Sequence, residues 1–456
     1  MWTGHDTELV VYAALAIAAV VVLVAWLKLH PFLALLIGGL GMGLAAGLGP
    51  DKDVESFTGG AGDTLGTVGL ILGLGTMLGK LLAESGGADR IAQTVLDRSG
   101  TDRVTWAMAL IAMIVGIPLF FEIGVVLLIP IIFVMARRVQ AETSMPEGQT
   151  YLLVGIPALA GLSVLHGLVP PHPGPLVAID ALNANLGLTM MYGFIVAVPT
   201  VIIAGPLFAR VAVRYATASP PRDLVEQVAK ETQTDNPPGF GITLFTILLP
   251  VALMLLRTAA DVGLDEGDQL RKWADFIGDP VVALLIGVLV ALWTFGLSRG
   301  FDRDRLSGFL SASLAPTAAI ILIIGAGGGF KGVLVDSGIG DSLAKAADHI
   351  SVSSILLAWL IAVMIRLATG SATVATVTTA GIVAPIIAHT DVSRPLVALA
   401  VGCGSLFFSH VNDAGFWLIN QYFGLSVPDT LKTWSVMETI ISVVGIVFVM
   451  ALSLVV

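Results

Sequence analysis

Cysteine is almost absent from this 456-residue sequence, and charge is scarce. A single thiol, Cys403, excludes a disulfide framework and a zinc cluster. Asp, Glu, Lys and Arg make up 12% of the chain, about half their share in an ordinary soluble domain. Of these 56 residues, 16 fall in just two stretches, 210–235 and 261–279. So few charges cannot clothe the soluble domains that a chain of this length would otherwise form. The net charge of −10 comes with no basic cluster, which excludes nucleic acid as a partner. No GxxxxGK[ST] loop is present, so no nucleotide-driven motor is encoded, and no cofactor is expected. What the sequence does have is apolar length. It is 56% hydrophobic, in runs that reach the roughly 20 residues needed to cross a bilayer core. The first run, Leu9 to Leu29, is too long for a signal-peptide core and has no small-residue cleavage site, so it reads as a span. The chain is an all-α polytopic membrane protein, and the lipid bilayer is its first partner.

Full spans are expected near 9–29, 31–49, 63–83, 150–186, 187–209, 241–257, 280–298, 309–335, 394–423 and 431–455. Two further apolar stretches, 103–136 and 352–388, have helix-unfriendly centres: Gly116, Pro118 and Glu122 in one, Thr369-Gly370-Ser371 in the other. Each reads as a hairpin that enters and leaves by the same face. With the N-terminus outside, 15 of the 23 basic residues fall on the cytoplasmic side, as the positive-inside rule requires. Arg103 and Arg137/Arg138 flank the first hairpin, and a single crossing would put one of those groups outside.

The two halves resemble each other. LLAESGGADRIA at 81–92 and VLVDSGIGDSLA at 333–344 share five identities in twelve positions, and both precede a broken hairpin. The break around His166 in SVLHGLVPPHPGP corresponds to the break around His410 in LFFSHVNDAGF. Each half has five full crossings, an odd number, so the expected division is an inverted pair: 1–209, a cytoplasmic linker at 210–240, and 241–456. Inverted repeats with paired broken helices point to a secondary transporter.

Polar groups at membrane depth belong where they line a cavity or are buried in protein. Glu122 is the only acid between Trp106 and Ala136, and it reads either as a proton site or substrate contact, or as a structural acid capping Arg366 or a helix N-terminus. At the second hairpin, Thr369, Gly370, Ser371 and Thr373 open a helix N-terminus with free donors, which suits an anion or a hydroxyl compound, though such hydroxyls also mend broken helices. Arg366, one turn earlier, suits a carboxylate. In the broken spans, His166 stands among four prolines, while Ser409, His410, Asn412 and Asp413 crowd an otherwise apolar run. If helical, His410 and Asp413 share a face and could share a proton. No HxxxH-type pair supports a metal, and none is expected. Ser409–His410 and Ser163–His166 are weak signals of an intramembrane enzyme, with no third triad member.

At these motifs the sequence resembles the gluconate:proton symporter (gluconate permease) family. The likeness is carried by GTMLGKLLAESGGADRIA, PLFFEIGVVLLIPI, HGLVPPHPGP, IRLATGSATVATVTTAGI and FFSHVNDAGFW, in that order. Two positions depart from the family pattern: Thr369, where Gln is usual, and Glu122, where Asp is also common; both bear on substrate identity. The resemblance implies a bacterial inner-membrane importer of gluconate or a related hydroxy acid, driven by protons and not an enzyme. Relatives that take D-serine keep the exact substrate open. It also implies kinship with an ion-transporter superfamily of homodimers in which a transport domain moves past a scaffold.

The expected site lies between the hairpin tips and the broken spans. Arg366 and the N–H groups near Gly370 would meet a carboxylate, and Thr369, Ser371, Thr373, His166, Ser409 and Asn412 would meet hydroxyls. Glu122 or Asp413, with His410 beside it, would carry the coupling proton. A sodium-coupled carrier using the same loops is the chief alternative; a channel would need polar groups strung along several helices instead of gathered at breaks.

Overall fold

The computed structural model describes residues 3–143, 145–221, 236–265, 268–339, 342, 353–388, 390–411 and 413–456. Asn412 and most of the linker, 222–235, lie outside the described residues. Among those described the chain is helical without strands, and eight helices are long and apolar enough to cross a membrane.

The first half begins with α1 (Gly4–Ala25), α2 (Pro31–Ala45) and α3 (Pro50–Thr64); a π turn at Leu65–Gly69 joins α3 to α4 (Leu70–Glu84). The expected span at 63–83 is therefore the second part of a continuous helix that starts at Pro50. The sequence of α3, PDKDVESFTGGAGDT, is polar and glycine-rich and does not advertise a buried helix. It is held by packing against the equally glycine-rich α14 (Ala318–Asp336) of the second half. A Cβ on Gly328 would stand 2.3 Å from the Thr64 hydroxyl and 2.6 Å from the Gly60 carbonyl oxygen, so the two backbones touch where side chains are missing.

After α5 (Gly87–Ser99) comes the first hairpin, α6 (Val104–Gly116) and α7 (Phe121–Glu142), and then α8 (Glu147–Leu168), α9 (Pro173–Ala181) and α10 (Leu186–Ile202). Both hairpin arms pack on α8. The second half supplies α11 (Phe240–Gly263), α12 (Pro280–Ala291), α13 (Arg303–Leu314) and α14. Its hairpin is α15 (Ser354–Thr369) and α16 (Ala372–Ile387), followed by α17 (Arg394–Ser405), α18 (Ala414–Phe423) and α19 (Val436–Leu452).

The order hairpin, broken helix, short helix thus occurs twice. At 1.5 Å per residue, α6 with 13 residues and α15 and α16 with 16 each reach only about 20–24 Å, short of the ~30 Å hydrocarbon core. The arm α7 is longer, 22 residues, and carries Pro130 inside it. The halves interlock: α16 and α17 both pack against α9, and α14 packs against α2 and α3.

Candidate functional site

Two helix breaks in the second half are tied together by one guanidinium. The helix α15 ends because Gly370 takes a left-handed conformation, φ +72°, which only glycine adopts freely; its N–H closes the turn on the Arg366 carbonyl at 2.9 Å. Ser371 then caps α16, its hydroxyl accepting from the Val374 N–H at 3.3 Å. Thr369 is buried and donates back to the Ile365 carbonyl at 2.9 Å, so this hydroxyl mends the helix end. Thr373 is half-buried in the first turn of α16, where its N–H and that of Ala372 meet no acceptor among the described residues.

Arg366 lies one turn before this break, with its side chain only 4% exposed. One terminal nitrogen donates to the Gly370 carbonyl and the other to Asp413 Oδ2, while Nε is buried without a partner. Asp413 belongs to the second break: α17 stops at Ser405, and Asp413 caps α18 through Oδ1, which accepts from the Gly415 N–H at 2.8 Å. Its Oδ2 also accepts from Ser409. Ser409 in turn accepts from Trp434 Nε1 at 2.7 Å, and Ser435 donates to the Ser409 carbonyl. Because 406–411 and Asp413 are not helical, His410 does not share a helix face with Asp413. Its Nε2 lies 3.2 Å from the Leu367 carbonyl, back on α15.

The first half reaches the same place through rings. α8 ends at Leu168, a cis bond joins Pro170 to Pro171, and α9 starts at Pro173. The His166 ring is half-buried, 6.2 Å from that of Phe121 and 5.7 Å from that of His172, and its Nδ1 has no partner. Phe121, the first residue of α7, lies 5.3 Å from Trp434 between ring centroids. Glu122 follows it and is exposed, and its charge, with those of Arg366 and Asp413, acts on His166. All four breaks therefore converge.

Among the residues expected from the sequence, Arg366, Gly370, Ser409 and Asp413 are bonded to one another, and His410 attaches to the same helix end. Thr369, Ser371 and Thr373 surround the hairpin tip, and His166 and Glu122 stand across from it. Neither Ser409 nor Ser163 bonds to a histidine among the described residues. Ser163 donates instead to Glu438 at 2.6 Å. Trp434, Ser435 and Glu438 were not legible as site residues from the motifs alone. Glu438 could have been found by the reasoning applied to Glu122, since it too is a lone acid in an apolar run.

A second polar cluster lies further along α9: Asp180 accepts from Thr67 at 2.8 Å and from Thr64 at 3.3 Å, and the charges of Asp180 and Asp63 act on Lys331. A cavity of about 210 Å³ opens elsewhere, between Asn185–Gly187 and Arg257, Thr258 and Gly278. It shares no residue with the breaks, and its Arg257 is already paired with Asp275 at 3.7 Å and Asp279 at 3.6 Å.

A multi-pass helical protein whose polar groups gather where helices break, instead of lining one continuous channel, has the architecture of a carrier. Comparison with known proteins gives the particular kind. Residues 8–455 match the model of the GntP family permeases, and the chain belongs to that family. It is 55% identical over 453 residues to a gluconate permease of Pseudomonas aeruginosa, covering 99% of both chains. It is 44% identical over 446 residues to a high-affinity gluconate transporter of Escherichia coli K12, covering 98% of this chain and 99% of that one. Among solved structures, the YdaH transporter of Alcanivorax borkumensis shares the fold with a TM-score of 0.62 at 16% identity, over 93% of this chain and 98% of that one.

Proposed function

We propose that this permease imports gluconate or a closely related sugar acid together with a proton, by alternating access at the convergence of the four breaks. The observation that carries the reading is Arg366: a buried guanidinium with an unpartnered Nε, set between the second hairpin tip and Asp413. A guanidinium binds a carboxylate through two parallel bonds, and here it already holds one, that of Asp413. A substrate carboxylate would take Nε and the nitrogen now given to Asp413, helped by the N–H groups of Ala372 and Thr373. The hydroxyls of a sugar acid would then meet Ser371, the Thr373 side chain and His166 Nδ1. Asn412 completes the set expected from the sequence. Gluconate is named as the cargo because curated relatives at 55% and 44% identity over nearly the whole chain are gluconate carriers.

Coupling follows from charge. An anion arriving beside Asp413, Glu122 and other acids is repelled, and a proton on one of them removes that repulsion, so each ligand strengthens binding of the other. The sequence candidates for the proton are Glu122, Asp413 and His410. The movement is an elevator step of one domain past the other, with residues 1–209 and 241–456 as inverted repeats, the 210–240 linker and the positive-inside face cytoplasmic, the termini outside, and two copies forming a dimer. The short hairpin arms and the doubled order of breaks support this arrangement.

Uptake of labelled gluconate into proteoliposomes tests the site. The double variant Arg366→Gln/Asp413→Asn removes the buried pair while leaving no orphan charge. Losing charge-assisted bonds of about 1.5–3 kcal/mol weakens gluconate binding by roughly 10–100-fold. A double variant that binds and transports gluconate like the wild type would overturn the assignment.

A further inference from the structure

Glu438 is an acid that neither the motifs nor the site just described accounts for. It sits in the first turn of α19, 1% exposed. Its one hydrogen bond with a side chain is to the neutral hydroxyl of Ser163 on α8, at 2.6 Å, and among the described residues no Lys, Arg or His stands within ion-pair distance. Arg366 and Asp413 are near enough for their charges to act on it. The other titratable groups around it are few. His166 is one turn beyond Ser163 on α8, Cys403 of α17 packs against Gly445 of α19, and Tyr192 is on α10. Lys432 precedes the helix but is half-exposed and bonded to Asp429 at 3.1 Å.

The acids near the breaks differ in how their charge is met. Asp413 accepts from Arg366, Ser409 and the Gly415 N–H, so its carboxylate is fully compensated. Glu122 is exposed. Asp53 is as buried as Glu438, but it lies between α2 and α14, with no link to Arg366. Among the described acids, Glu438 alone combines burial and a neutral partner with a place where the charges of Arg366 and Asp413 act on it. A carboxylate in such a place is costly when ionised, and it becomes more so when a substrate anion takes Arg366 from Asp413 and adds a negative charge nearby, so substrate and proton favour each other.

We propose that Glu438 is the group that carries the coupling proton, rather than Asp413 or Glu122. This rests on the proton-symport reading and names its residue. The proton binds as Glu438 becomes buried against Ser163 and leaves as that contact opens on the opposite face; no bond other than the carboxyl O–H forms or breaks.

The test compares wild type, Glu438→Gln and Glu438→Asp in proteoliposomes. Two measurements are made on each: gluconate exchange without a gradient, and accumulation driven by a pH gradient. Glutamine keeps the shape and can still bond Ser163, so exchange should persist while pH-driven accumulation falls at least tenfold; aspartate should restore part of it. Difference infrared spectra of the wild type on adding gluconate should contain a carboxylic-acid carbonyl band that shifts in Glu438→Asp, a readout that stands even if the glutamine variant fails to fold. Wild type that exchanges gluconate but does not accumulate it under a pH gradient would overturn the symport reading itself. Wild-type accumulation matched by Glu438→Gln, or a carbonyl band unchanged in Glu438→Asp, would overturn only the assignment to Glu438.

Discussion

Replacing Asp413 by alanine should destabilise the unliganded protein and make it lean on its substrate. The Arg366 side chain is 4% exposed and that of Asp413 14%, so the pair is largely shielded from water. Removing one member of a buried pair costs about 3–5 kcal/mol, because the other charge is left uncompensated. Here Arg366 would keep only the Gly370 carbonyl, and Ser409 and the Gly415 N–H would each lose an acceptor. The lost helix cap, about 0.5–2 kcal/mol alone, acts at the same atoms and overlaps with that figure instead of adding to it. A gluconate carboxylate on Arg366 would supply the missing charge. At a hundredfold excess over Kd, binding returns about 2.7 kcal/mol. Denaturation in detergent, with and without gluconate, measures both quantities. The companion variant Arg366→Met/Asp413→Ala should be more stable than Asp413→Ala, since no orphan charge remains. If Asp413→Ala is as stable as the wild type, or the double variant is the less stable of the two, the pair does not carry the energy assigned to it.

The remaining predictions concern the helix contacts and the exposed rim. Gly328→Ala would drive a methyl against the Gly60 carbonyl and the Thr64 hydroxyl, parting α3 from α14 at about 1–3 kcal/mol. Gly59→Ala, with open space around it, should instead be neutral or stabilising by up to about 1 kcal/mol, and thermal unfolding of the two variants separates these outcomes. Gly370→Ala forces a side chain into the left-handed region at about 1–2 kcal/mol and should displace the hairpin tip, read as a loss of gluconate affinity. At the end of α7, the Thr101 hydroxyl and then Arg138 hold the Glu142 carboxyl below its ordinary range. A depressed acid contributes its tie above its unfolded pKa and loses it as pH falls through the depressed value. Hydrogen-exchange protection in the 99–104 turn, taken relative to the intrinsic rate at each pH, should therefore fall in acid, and Thr101→Val should lessen that pH dependence.

The breaks were legible in the sequence because their causes are local. Pro170 and Pro171 follow the end of α8 and Pro173 suits the first turn of α9, while Gly370 invites a left-handed turn, each for a reason written in the residue itself. The partners at those breaks were less legible. Helical spacing set His410 beside Asp413, but the helix ends at Ser405, and the imidazole turns to Leu367 while Arg366 takes the acid. That pairing joins residues 47 apart in sequence, and no local period encodes it. The polar α3 went unread for a related reason: its glycines gain their meaning only against the glycines of α14, more than 260 residues away. Glu438 stands out in the sequence as a lone acid in an apolar run, but its partner Ser163, 275 residues distant, does not.

The most direct test is accumulation of labelled gluconate in proteoliposomes under a pH gradient alone and a sodium gradient alone. The proton-coupled account requires accumulation with the pH gradient and none beyond exchange with sodium. Accumulation with sodium alone, indifferent to pH, would contradict it.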